Sequence, residues 1–176
     1  DDKLASTEFT FTRFLIPHLT EFDGWALFID CDFVALEDVK LLFDQADEKY
    51  AVMCAQHDYT PKETVKMDGQ VQHIYPRKNW SSMMLINCGH PSNAIVTADF
   101  VNDVHKTGAY LHRFSWLKDE EIGSIPHNWN WLVAEWQVNS LLYIPHITKI
   151  VIITPLLTYF FYRGMLLPRN RGLKLY

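Results

Sequence analysis

Asp30 and Asp32 flank Cys31 at the end of the apolar run Trp25-Ala26-Leu27-Phe28-Ile29. Carboxylates at alternate positions can converge on one hard ion through their oxygens, so a strand-end Asp-x-Asp suits a divalent cation. The plainer reading is two solvated turn residues that cap the next segment. The three cysteines, Cys31, Cys54 and Cys88, are odd in number and lack metal-type spacing. They read as free thiols of a reducing compartment.

The carboxylates need an element that carries them to one place. Five apolar residues in a row read as a buried strand, too short for a helix of its own. Its carboxyl end is where open α/β sheets place ligands. Upstream, residues 4–16 have helical character, with Leu4, Phe11, Phe14 and Leu15 close to one face and Pro17 set to kink or end the helix. Asp23-Gly24 turns the chain into the strand. Glu37 to Phe43 reads as a short helix, Tyr50 to Ala55 as a second strand and Met83 to Asn87 as a third. Ala98 to His105 reads as a helix, Ile122 to Pro126 as extended or turning, and Asn130 to Trp136 as a strand. The polar stretch from His57 to Lys78 lacks periodicity and reads as a long functional loop, a candidate lid. Strands alternating with helices predict an α/β layered fold.

The 176 residues fit one domain, and 48% hydrophobic with 14% aromatic content excludes disorder. A net charge of -5 argues against a broad nucleic-acid surface, so no nucleic-acid partner is expected. No secretory signal is read at Asp1-Asp2-Lys3, and the expected location is cytoplasmic. Ile150 to Tyr162 is apolar but carries Pro155 and falls short of the roughly 20 residues of a membrane span. The basic end, Arg163, Arg169, Arg171 and Lys174, gives a weak membrane-surface contact as the peripheral alternative.

Four segments carry a family resemblance: Thr10-Phe11-Thr12-Arg13, Leu27-Phe28-Ile29-Asp30-Cys31-Asp32, Trp80-Ser81-Ser82-Met83-Met84-Leu85-Ile86-Asn87 and Ile125-Pro126-His127-Asn128-Trp129-Asn130. In order and spacing, residues 4–146 resemble glycosyltransferase family 8, which includes glycogenin and bacterial lipopolysaccharide galactosyltransferases. The resemblance implies a GT-A-type fold, a Rossmann-like mixed sheet flanked by helices, incomplete at its amino end. It divides the chain into a partial glycosyltransferase domain over 1–148 and a divergent apolar and basic tail over 149–176. It also implies metal-dependent, retaining transfer of a sugar from a nucleotide diphosphate sugar, usually a UDP-sugar, with Mn²⁺ or Mg²⁺ as the ion. The acceptor would be a hydroxyl of a glycan, a lipid-linked sugar or a protein.

On that resemblance Asp30 and Asp32 hold the ion, and His146, in His146-Ile147-Thr148, is the third metal ligand; a histidine beside Pro145 is otherwise ordinarily structural. Arg13 reaches the donor's pyrophosphate or sugar. Asn79, Trp80 and Ser81 match a segment near the donor sugar, with either Asn79 or Trp80 on the family's asparagine. Asp119 and Glu120 are the catalytic candidates beneath the transferred sugar, against a plain reading as a solvated acidic turn. Asn130 orients neighbouring groups, and Trp129 packs. Two other readings stand beside this one. A degenerate, non-catalytic glycosyltransferase-like binding module would fold without metal-dependent nucleotide binding. A haloacid-dehalogenase-like phosphohydrolase would use Asp30 as nucleophile, but the sequence has no Gly-Asp for its later element.

Overall fold

In the computed structural model, residues 9–57, 77, 79–103, 105–132, 150–152 and 165–167 are described. Their strands are β1 (Trp25–Ile29), β2 (Phe33–Ala35), β3 (Val52–Cys54), β4 (Met83–Asn87), β5 (Ile122–Ser124), β6 (Trp131–Leu132), β7 (Ile150–Ile152) and β8 (Met165–Leu167). The short helices are α1 (Phe9–Thr12), α2 (Ile16–Leu19), α3 (Lys40–Phe43), α4 (Ala98–Asn102) and α5 (Gly108–His112). The chain is a mixed α/β fold built on four strands in the order β5-β3-β4-β1. β4 runs antiparallel to both β1 and β3, while β5 is parallel to β3. β8 pairs with the free edge of β1, and β2, β7 and β6 make a second, three-stranded sheet.

β1 is apolar throughout and β4 is apolar up to Asn87, as suits a sheet with both faces covered. Alternation along each strand divides the side chains between two cores. Ala26, Phe28, Met84, Ile86, Val52 and Cys54 pack with Phe14, Val96, Val101, Leu111 and Phe114 from the helical layer. Leu27, Met53, Met83 and Leu85 face Leu42, Ile125 and Trp129 on the other side. At the edge strand, Gly123 has no room for a side chain. A Cβ there would lie 2.5 Å from Tyr50 Cδ2 and 2.8 Å from Met53 Cγ.

Several elements are shorter than the sequence suggests, for local reasons. The Ala98–His105 helix begins where expected, capped by Thr97 Oγ1, which accepts from Phe100 N–H. It stops at Asn102 because Asp103 turns extended and its carboxylate takes the His105 N–H. The Glu37–Phe43 helix is confined to Lys40–Phe43, with the Asp38 carboxylate accepting from Lys40 N–H. Pro17 does not end a continuous helix: a 3₁₀ turn over Arg13–Leu15 separates α1 from α2, and Pro17 lies in the first turn of α2. The expected strand Asn130–Trp136 is represented by Trp131–Leu132; its remainder lies outside the described residues, as does nearly all of the expected loop over 57–78.

Candidate carboxylate and arginine site

β1, β3 and β5 point the same way, so their carboxyl ends, with the start of antiparallel β4, form one edge of the sheet. This edge gathers the sequence-predicted groups Arg13, Asp30, Asp32, Asn79, Trp80, Ser81 and Asn130. Asp30 follows β1 directly, and its backbone N–H donates to the Ser82 carbonyl at 2.9 Å, continuing the β1–β4 ladder. Arg13, on the 3₁₀ turn of the helical layer, lays its guanidinium over the Phe28 ring, 4.9 Å from the centroid. The same Nη1 ion-pairs with Asp30 Oδ1 at 3.0 Å and donates to the Ser81 carbonyl at 3.1 Å. Arg13 is 11% exposed and Asp30 32%, so the pair is shielded on the protein side and open on the other.

The two carboxylates are electrostatically unsettled. Burial pushes Asp30 up to about 6, against the nearby Arg13 charge, and the neighbouring Asp32 carboxylate adds to the rise. Asp32 is also raised by burial, and its Oδ1 accepts no hydrogen bond among the described residues. Cys31, between them, is exposed and free. A cation is the natural partner for such an oxygen pair, and the buried Asp32 Oδ1 without a donor fits one. Among the described residues no group of three or more His, Cys, Asp or Glu side chains is arranged to hold a metal ion. His146 lies outside the described residues.

The turn before β4 ties the site together. Asn79 adopts a left-handed conformation with φ 65°, which asparagine tolerates better than most residues. Its carbonyl accepts from Ser82 Oγ at 2.7 Å, and Ser82 Oγ in turn accepts from Asn130 Nδ2 at 3.1 Å. Asn130 is fully buried, delivered by the 3₁₀ turn His127–Trp129 after β5. Trp80 Nε1 donates to the His57 carbonyl at 3.0 Å.

Three histidines at this edge were not singled out from the sequence. His57 and His127 stack with centroids 5.0 Å apart. Burial, and then His127, push His57 down to about 4. His112, at the end of α5, is hydrogen-bonded through Nδ1 to Ser81 Oγ and is lowered to about 4 by burial and by Arg13. His127 falls within a segment that carried the resemblance but was given no role, and each of the three meets its partner through tertiary packing.

Asp119 and Glu120 make no contact with Arg13, Asp30 or Asp32 among the described residues. They form the 3₁₀ turn before β5, and Asp119 is linked to Trp80 through Arg77. Asp119 is 90% exposed and ion-paired with Arg77, whose guanidinium also stacks 5.4 Å from the Trp80 ring centroid. No helix among the described residues is long and apolar enough to cross a membrane.

Comparison with known proteins gives a different placement from the resemblance drawn on the sequence. The chain is 65% identical over 130 residues to Protein CDI of Arabidopsis thaliana, a match that takes in 74% of this chain and 49% of that protein. The chain thus spans about half the length of the curated relative it matches. No protein-family model and no solved structure matches. The assignment to glycosyltransferase family 8 is therefore withdrawn. The segments that carried it are a buried strand with carboxylates at its end and short polar turns, which many α/β sheets produce at a ligand-bearing edge. What the comparisons establish is likeness to Protein CDI, over about half of that protein.

Proposed function

We propose that this edge binds the diphosphate of a nucleotide sugar through a divalent cation and transfers the sugar to a hydroxyl acceptor. The observation that carries the reading is the pair Asp30 and Asp32, both raised by burial, with Arg13 3.0 Å from the first and a donor-less buried oxygen on the second. Asp30 and Asp32 would hold Mn²⁺ or Mg²⁺. When bound, the ion would neutralise the charge that grows on a departing diphosphate, which lowers the barrier more than it strengthens ground-state binding. Arg13 supplies a second, fixed positive charge on the same side, anchored by Ser81 and Phe28 so that it need not reorganise. Asn130 and Ser82 brace the turn that meets Asp30. A GT-A-type arrangement is the finer fold that goes with this reading, and its support is the mixed sheet with carboxylates following β1. A UDP-sugar donor and a glycan, lipid-linked sugar or protein hydroxyl acceptor belong to the same proposal. Asp119 and Glu120 would take part in transfer only if the donor reaches past Trp80 and Arg77.

A second reading has its own support. With Asp30 already ion-paired to Arg13 and two carboxylates as the candidate ligands among the described residues, the edge suits a non-catalytic binding module. Calorimetric titration of uridine diphosphate into the chain, with and without Mn²⁺, separates the two. Transfer chemistry expects Mn²⁺-dependent binding in the micromolar range, about −8 kcal/mol. Binding indifferent to Mn²⁺, or none by a folded sample, overturns it.

A further inference from the structure

His112 belongs to the Arg13 network, and the proposed chemistry leaves it unused. It ends α5, far from β4 in sequence, and its ring packs edge-on against Phe14, centroids 5.3 Å apart. Its Nδ1 is bonded to the hydroxyl of Ser81, itself a buried residue. The Ser81 carbonyl and the Asp30 carboxylate then share a single nitrogen, Arg13 Nη1. The order of contact is therefore imidazole, hydroxyl, peptide carbonyl, guanidinium, carboxylate. The two hydrogen bonds and the ion pair cross between chain segments, so the Ser81 turn couples the imidazole to the Arg13 guanidinium.

We propose that His112 is a positioning residue: by holding Ser81, it holds the carbonyl that aims Arg13 at Asp30. A neutral imidazole suits this task, because a charged one beside Arg13 would repel the guanidinium it helps to place. His112 is pushed down to about 4 by burial and by that same arginine, so it is neutral at pH 7. Asp32 is the other charged group beside Arg13 and Asp30, and it lies on their own edge of the sheet.

The test is the order of the Arg13 guanidinium, followed by ¹⁵N relaxation of its Nε–H on the ligand-free chain. A loosened clamp lets the guanidinium turn. Ser81→Ala and His112→Phe are each expected to lower its order parameter from the rigid range, about 0.85, to below about 0.6. His112→Asn keeps a hydrogen-bonding atom near the Nδ1 position and is expected to leave it as in the parent. An unchanged order parameter in folded Ser81→Ala overturns the proposal. So does a His112→Asn loss as large as that of His112→Phe, which would mark a loss of packing alone. Ser81→Ala leaves the imidazole in the core and decides the matter if His112→Phe does not fold. The inference rests on the proposed function only for the importance it gives Arg13. A chain that shows the loosening but binds no uridine diphosphate refutes that function and leaves the clamp standing.

Discussion

The two ends of the sheet treat their polar groups in opposite ways. At the amino end of β5, Glu121 accepts from Ser92 Oγ and from the Lys118 N–H, and these bonds lower its pKa. Nearby, buried Asn93 donates to the carbonyls of Ala51 and Asn87 and accepts from Trp116 Nε1. At the carboxyl end, Asp30 and Asp32 are raised while His57 and His112 are lowered, each disfavoured in its charged form. Polar groups at one end are satisfied by the fold. At the other they are held at a cost, which is the pattern expected where a ligand is to supply the missing partner.

The sharpest way to break this contrast is Asp30→Asn. Removing the charge is expected to weaken Mn²⁺-dependent uridine diphosphate binding by a factor of about 100 or more, consistent with losing a charge-assisted ligand. The same change should stabilise the chain at neutral pH. A folded-state pKa raised from 3.8 to about 6 means the native state holds its proton more tightly, so this group's contribution is full below 3.8 and lost as pH rises through 6. At pH 7 the ionised carboxylate costs up to about 3 kcal/mol, and asparagine removes it, less whatever Arg13 forfeits. Thermal unfolding at pH 7 and pH 4 checks the sign. A gain at 7 that vanishes at 4 fits, and a loss at 7 ends the contrast.

The histidines sharpen it from the other side. His57 is lowered from 6.5 to about 4, so the unfolded chain binds the proton first, and stability is lost as pH falls from 6.5 through 4. His57→Gln is expected to shallow the acid limb of a pH-stability curve by up to about 3 kcal/mol across that window. An unchanged limb would place the acid sensitivity elsewhere, His112 first. Smaller again is Gly123→Ala, which drives a methyl group into Tyr50 and Met53 and should cost about 1–3 kcal/mol in urea unfolding. Smallest is Glu121→Gln at the satisfied end. Its carboxylate sits in solvent contact, so screening limits the loss to a few tenths of a kcal/mol, present above the usual glutamate pKa and lost as pH falls through the lowered folded value.

The placement of Asp30 and Asp32 was legible in the sequence because an apolar strand that stops abruptly announces its own end. Met83–Asn87 was legible for the same reason, being buried on both faces. Arg13 could be nominated, yet its partners could not: the Ser81 carbonyl is 68 residues away, and only the β1–β4 register brings it close. His112 to Ser81 spans 31 residues and Asn130 to Ser82 spans 48. Local pattern carries no information about such pairs. Asp119 and Glu120 were nominated by motif position alone, and the link from Asp119 through Arg77 to the Trp80 ring spans 42 residues and could not be read locally. The family assignment failed for a related reason, since strand ends and turns recur across α/β sheets whose ancestry differs.

Gly123 bears on how this molecule can change over generations. Any substitution there adds a carbon that the Tyr50 ring and the Met53 side chain must move to admit. β5 leads directly to the turn that delivers His127 and Asn130. Drift at that position is therefore coupled to those two side chains, and with them to the setting of the turn that β5 feeds.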